Sequence, residues 1–291
     1  MPTILAVGIA TLDIINTTER YPAEDDEVRA LAQRVARGGN AANTLDVLAQ
    51  LGHDGRWLGV LADDADAARI AAALSERGID YRHAPVCAGA RSPVSYIVVS
   101  RATGSRTIVH HRDLPELAAA DFAALPLDGV DWLHFEGRNV AATRAMIADA
   151  RARAPQLPIS VELEKPRAEI HALSAAADVA IYARAYAQAT GHADPETFLA
   201  GAPGAGLAFC AWGSDGGWLR RGDGTLHHEP AWPPAQVVET VGAGDCFNAG
   251  LIDALSRGQA PEQALRRANQ VAGAKCGQEG FAGLARLLGG A

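Results

Sequence analysis

Near its C-terminus the chain reads Glu239-Thr240-Val241-Gly242-Ala243-Gly244-Asp245, two glycines and a carboxylate running into a helical pattern. Gly242 and Gly244 permit positive φ and close main-chain approach, so successive N–H groups can point outward together at a helix N-terminus. Such a turn is an anion hole suited to the charge on a phosphoryl group in transfer, with Gly242, Ala243 and Gly244 as its candidate donors. Asp245 is the informative residue. A carboxylate beside an anion site repels the anion, so binding alone does not call for it, but it could take a proton from an attacking hydroxyl. The structural alternative is an acid favoured by the helix dipole after a tight glycine turn. Phe247 stands where the third glycine of GxGxxG would fall, which argues against a dinucleotide-dependent oxidoreductase. Gly-Lys-Ser/Thr, HExxH and GxSxG do not occur, so a Walker A loop, a metalloprotease and a nucleophile-elbow hydrolase lose their usual support.

A second segment, Arg37-Gly38-Gly39-Asn40-Ala41-Ala42-Asn43, sets two glycines before a helix whose first turn carries Asn40 and Asn43. Each amide offers a donor and an acceptor, which suits a ligand rich in hydroxyls, although a loop with an N-cap reads equally well. Asp13 follows the first apolar run, where a ligand crevice would lie. The acid run Glu24-Asp25-Asp26-Glu27 reads as half solvated, with one member turned inward.

These residues need a scaffold. Short runs apolar throughout, Ile4–Gly8, Trp57–Leu61, Trp132–Phe135, Ile159–Val161, Val179–Tyr182 and Leu207–Ala211, read as strands buried on both faces. They alternate with the helical segments Ala41–Leu51, Ala65–Arg77, Ala141–Arg153, Ala168–Ala175 and Tyr186–Thr190, and a strand ends at Glu239. That rhythm predicts one α/β domain with a parallel sheet whose strand C-terminal ends face the ligand. Glu27–Arg37, and Ser92–Ser100 with Arg106–His111 turned at Ala102–Gly104, predict a small antiparallel flap. The flap must bury its apolar face on ligand or on a second subunit.

Lys and Arg number 26 against 34 Asp and Glu, a net charge of −8. That sign disfavours nucleic acid and anionic lipid as partners. Arg151-Ala152-Arg153 and Arg220-Arg221 read as solvated faces. The four cysteines lie far apart without CxxC spacing and read as free thiols. The N-terminus lacks a basic region before its apolar run, and no uncharged run reaches membrane-spanning length, so a cytoplasmic protein is expected.

Gly38–Asn43 and Glu239–Asp245, in this order, resemble the two signatures of the ribokinase-like (PfkB) carbohydrate kinases. Tyr21–Asp25, His134–Asn139, Val161–Arg167, Cys210–Trp212 and Val271–Gly277 are similar to the ketohexokinase branch of that family, fructokinases acting at O1. The likeness spans nearly the whole chain. It implies a single ribokinase-like domain over residues 1–291, a three-layer α/β sandwich with a mostly parallel central sheet. A small β lid would come from about 27–37 and 92–111, and in many members it is also the homodimer contact.

The resemblance further implies ATP and Mg²⁺, often with a stimulating K⁺, and phosphorylation of a primary hydroxyl on a small sugar, a ketohexose such as fructose at O1. Ribokinase, 6-fructokinase and nucleoside kinase activities share the two signatures, and a non-catalytic sugar or nucleotide sensor shares the fold. Carried over by position, Asp245 is the base and Gly242, Ala243 and Gly244 form the anion hole. Asp13, Asp25, Gly39, Asn40, Asn43 and Arg106 would hold the sugar, and Ala211, Gly213, Gly244 and Asn269 would lie around the nucleotide. Many members carry Asn-x-x-Glu after the strand that here is Val179–Tyr182. This chain has Ala183-Arg184-Ala185-Tyr186 instead; the ketohexokinase branch departs there too, with a Lys where Arg184 stands, so the resemblance implies a phosphate contact for Arg184 and leaves the metal ligands unassigned.

Overall fold

Strands that are apolar on both sides must be covered on both sides, and the main sheet consists of such strands between two helical layers. The computed structural model describes residues 1–204 and 206–289. Its strands are β1 (Thr3–Val7), β2 (Thr11–Thr18), β3 (Ala32–Gly38), β4 (Asp54–Leu58), β5 (Leu61–Ala62), β6 (Val86–Cys87) and β7 (Val94–Ser100). There follow β8 (Arg106–His111), β9 (Trp132–Glu136), β10 (Ile159–Leu163), β11 (Val179–Ala183), β12 (Leu207–Ala211), β13 (Gly217–Arg220) and β14 (Leu226–Glu229). The main sheet runs β14-β13-β12-β11-β10-β9-β1-β4, parallel except where β13 and β14 fold back.

The longer helices are α1 (Asn40–Gln50), α2 (Ala65–Glu76), α3 (Ala119–Ala123), α4 (Val140–Arg153) and α5 (His171–Ala176). They continue with α6 (Arg184–Ala189), α7 (Pro195–Ala200), α8 (Ala243–Ser256), α9 (Pro261–Cys276) and α10 (Leu284–Leu287). Alternation along the strands sorts side chains between the two layers. Ile4, Ala6 and Ile181 pack with α1, α2, α8 and α9. Leu5, Val7 and Tyr182 pack with α3 to α7.

A separate four-stranded sheet, β3-β2-β7-β8, forms the lid. Its two outer pairings are antiparallel and its central β2–β7 pairing is parallel, so the expected purely antiparallel flap is corrected. The central strand β2 went unassigned in the sequence, because Thr-Leu-Asp-Ile-Ile-Asn-Thr-Thr neither alternates cleanly nor is apolar throughout. Asp13 therefore lies within a lid strand, not in a turn after β1.

The strand expected to end at Glu239 does not form. The Val238 and Glu239 N–H groups both donate to the Cys276 carbonyl at the end of α9, at 2.8 and 3.3 Å, and Val237 and Val238 are exposed. With no neighbouring strand to pair, β propensity has nothing to act on. Arg220, expected on a solvated face, is buried and donates to the Ala202 and Gly204 carbonyls. Every residue of the run Glu24–Glu27 is exposed.

Helices α8 and α9 touch closely enough to need a glycine. A Cβ on Gly250 would stand 2.7 Å from Ala268 Cα and 3.0 Å from the Arg267 carbonyl oxygen. Replacing Gly250 by Val should therefore force the helices apart and cost about 1–3 kcal/mol. In a thermal melt that is a loss of about 2–8 °C, and an unchanged midpoint would show that the contact yields freely.

Candidate active site

The parallel strands deliver their C-terminal ends to one edge, and the lid sits over that edge. Gly242 caps α8 in the left-handed region, φ 79° and ψ 6°. A Cβ there would lie 2.7 Å from Phe281 Cε1, so the ring packs directly on the turn. The Ala243 N–H donates to the Thr240 carbonyl at 3.3 Å, while those of Gly244 and Asp245 find no main-chain acceptor among the described residues. Gly244 has open space where a Cβ would be. Free N–H groups, open space and the positive end of a 14-residue helix together make a cradle for phosphate.

Asp245, in the first turn, is only 6% exposed. Its Oδ2 accepts from Asn43 Nδ2 at 2.7 Å. Burial pushes its pKa up and the Asn43 hydrogen bond opposes that; the Glu164 and Glu136 charges reinforce the rise. An acid raised in this way stays within reach of proton exchange near neutral pH.

Sequence reasoning missed three carboxylates at this edge. Glu136 closes β9 and accepts from the Ile9 N–H at 2.9 Å, and Arg138 donates to it at 3.3 Å. Glu162 in β10 accepts from Asn248 Nδ2 at 2.9 Å and from Asn40 Nδ2 at 3.1 Å. Asn40 also reaches Glu164 at 3.3 Å. Burial and the neighbouring negative charges hold the Glu162 pKa well above the ordinary range, and burial raises that of Glu136. The available signal was a glutamate inside a strand otherwise buried on both faces, a position that charged residues almost never occupy unpaired.

The lid meets the body on the stretch 239–241. Glu239 accepts from Lys275 Nζ at 2.9 Å and from the Gly280 N–H at 3.0 Å, and pairs with Arg34 of β3. Arg106 of β8 donates to Thr240 Oγ1 at 3.2 Å. Val241 packs on Ile15, Ile97 and Val99 of the lid. Asp13, buried on β2, accepts from Thr11 Oγ1 at 2.8 Å, and burial raises its pKa. A cavity of about 230 Å³ beneath the lid is lined by Asp13, Arg34, Asn43, Glu239, Lys275 and Phe281, among others.

Of the positions singled out in the sequence, Asn40, Asn43, Gly242, Ala243, Gly244 and Asp245 are brought together here, with Asp13 and Arg106 on the adjoining lid. Gly39 joins β3 to α1 at φ 97°, where a Cβ would stand 2.8 Å from Ala10 Cα. Arg184, exposed at the start of α6, reaches within 3.5 Å of where a Cβ on Gly213 would sit, so it overhangs the turn after β12, the strand that ends at Ala211. Asp25 is not brought in: it is exposed, at φ 61°, in the loop between β2 and β3. Asn269 donates both amide hydrogens to the Glu229 and Pro230 carbonyls, at 2.8 and 3.0 Å, and so braces that loop. Among the described residues no group of three or more His, Cys, Asp or Glu side chains is disposed to hold a metal ion. No helix there is long and apolar enough to cross a membrane.

Residues 1–285 match the family model "pfkB family carbohydrate kinase". The chain is 39% identical over 293 residues to ketohexokinase of Mus musculus, covering 97% of this chain and 98% of that protein. Adenosine kinase from Sinorhizobium meliloti superposes with a TM-score of 0.81 at 23% identity, covering 99% and 98% of the two chains. Arabidopsis thaliana ribokinase, solved with ribose and ATP, superposes with a TM-score of 0.76 at 20% identity, again over 99% and 98%. An α/β sandwich with its anion cradle and buried acid under a β lid is the architecture of a phosphotransferase. The chain belongs to the PfkB family and is an ATP-dependent carbohydrate kinase.

Because the fold raises the Asp245 pKa above its ordinary value of 3.8, the ionised form costs stability as pH rises from the unfolded pKa through the folded one. Asp245→Asn should raise the melting temperature at pH 8 by about 2–6 °C. The gain should fade below about pH 4, where both states are protonated. A gain of equal size at both pH values would assign it to something other than the buried charge.

Proposed function

We propose that the chain phosphorylates a ketohexose such as fructose at O1, using ATP. The observation that carries the reading is Asp245, a buried carboxylate held beside free helix N-terminal N–H groups. The similarity to a ketohexokinase over nearly the whole length of both chains supports the choice of sugar. Asn40, Asn43 and Asp13 orient the hydroxyls, with Gly39 letting the main chain approach, and Arg106 and the lid exclude water. Asp245 accepts the proton as the bond from the sugar oxygen to the γ-phosphorus forms. The bond from that phosphorus to the bridging oxygen breaks, and ADP leaves. The Gly244 and Asp245 N–H groups face the charge that builds up, with Gly242 and Ala243 setting the turn. Arg184, above Gly213 and Ala211, is placed to meet the phosphates of the nucleotide. Mg²⁺ would arrive with the nucleotide and neutralise phosphate charge.

The lid supports a homodimer. Val35, Ile14, Tyr96 and Val109 are cross-strand partners in one row of the lid, on the face opposite Ile15 and Ile97. Val35, Tyr96 and Val109 are 51%, 51% and 66% exposed. A four-stranded sheet with an apolar row in water needs a cover, and a second copy of the same row would supply it.

ADP release from MgATP, with and without K⁺, should depend on fructose in a panel with ribose, glucose, tagatose and adenosine, and NMR of the product should place phosphate on O1. Asp245→Asn should lower kcat by about 10²–10⁴ with a smaller effect on ATP binding. Turnover on ribose or adenosine alone, phosphate on O6, or undiminished turnover in the variant would each overturn the corresponding assignment. Saturable sugar binding without turnover would identify a sensor. For the lid, light scattering should give a dimer for the native chain and a monomer for Tyr96→Glu, and a monomeric native chain would remove that surface from the reading.

A further inference from the structure

Arg37 has no part in the chemistry above, yet it is a buried cation, 9% exposed, directly behind the residues that do. Its Nη1 donates to Asn43 Oδ1 at 2.8 Å and its Nη2 to Asp46 Oδ2 at 2.9 Å. The other oxygen of Asp46 accepts from Gln50 Nε2 at 2.8 Å and from Arg77 Nε at 3.0 Å. Gln50 in turn donates to the carbonyl of Phe281, whose ring lies on Gly242. The guanidinium is therefore held from behind by a carboxylate with no freedom left.

A primary amide is a two-way switch. With its NH₂ turned towards Asp245, Asn43 serves the ionised carboxylate. Turned over, its oxygen would accept from the protonated acid, and both charge states would be equally satisfied. A guanidinium has only donors. Arg37 can meet Asn43 Oδ1 but never the NH₂, so it removes the second orientation. We propose that Arg37, held by Asp46, is a positioning residue that locks the Asn43 amide in the orientation serving ionised Asp245.

The surroundings make such a lock consequential. Around Asp245 stand Glu136 from β9 and Glu162 and Glu164 from β10 and its end, all disfavouring its charge together with burial. Asn43 and Arg37 are the groups that oppose them.

The assignment of Asp245 as base belongs to the proposed function, so the test includes a readout that needs no turnover. Aspartate side-chain carboxyls of the full chain are titrated by ¹³C NMR, with Asp245 assigned by its loss in Asp245→Asn. Arg37→Met should raise the Asp245 midpoint by about 1 unit, and Arg37→Lys by less. In an Asn43→Ala background the Arg37→Met shift should fall to about a third or less, because the lock has nothing to act on. In the kinase assay the acidic limb of kcat should move with the midpoint while the KM for ATP stays put. A shift of the same size with and without Asn43 would reduce Arg37 to a bare charge and overturn the proposal, as would no shift in Arg37→Met. If Arg37→Met fails to fold, Arg37→Lys carries the same comparison. A chain with these shifts that phosphorylates no sugar would overturn the kinase reading and leave the lock standing.

Discussion

The burial of one carboxylate, Asp245, organises this molecule. A carboxylate taken out of water loses several kcal/mol of hydration unless charge or hydrogen bonds replace it. Here the replacements are a helix N-terminus and one amide hydrogen, while three further acids lie nearby. The arrangement is poor as a stabilising device and apt as a reactive one, since a base that is fully compensated has little affinity for a proton. Glu162 shows the same economy: two asparagine amides, from α1 and α8, hold a buried acid that no cation pairs among the described residues.

Compensation is placed differently at Glu239. That carboxylate has Lys275, Arg34 and the Gly280 N–H around it, and these hold its pKa below the ordinary range. Glu239 is thus a satisfied structural ion, six residues before the poorly compensated Asp245. Its network joins α9, the 280–282 turn and lid strand β3, and so fixes the stretch that leads into the anion cradle. Phe281 packed on Gly242 continues that support from the other side.

How much of this the sequence discloses depends on whether the signal is local. Leu207–Ala211 coincides with β12, and the other five predicted parallel strands overlap the observed ones, because five apolar residues between turns have few other ways to be buried. The glycine turn into α8 and the asparagines opening α1 are likewise legible from residue type. Thr11–Thr18 is not, because its strand character comes from neighbours on both sides. The stretch Val237–Glu239 fails the other way: its local propensity is strong, but among the described residues no strand lies beside it to pair. Asp25 and Asn269 show that a position in the sequence does not give a placement in the fold. One sits in an exposed loop, and the other has spent its amide on carbonyls that only the tertiary fold brings to it. The grouping of Glu136, Glu162 and Glu164 with Asp245 depends on strand order, which no local pattern encodes.

Strand β3 draws these constraints together. Along it Arg34 turns to Glu239, Val35 faces outward, and Arg37 reaches into the body to Asn43 and Asp46. Seven residues therefore serve the lid contact, the exposed apolar row and the support behind the base. The strand enters α1 through Gly38 and Gly39 with no intervening loop, so its end cannot shift without moving Asn40 and Asn43. At the opposite end of the lid, attachment rests on Arg106 and the Gly104 carbonyl touching Thr240 at 3.2 and 3.4 Å in a partly solvated setting. Hydrogen bonds of that kind contribute on the order of 1 kcal/mol each, whereas stripping one partner from a buried pair such as Arg37–Asp46 costs about 3–5 kcal/mol. The lid is therefore fastened more firmly along β3 than along β8.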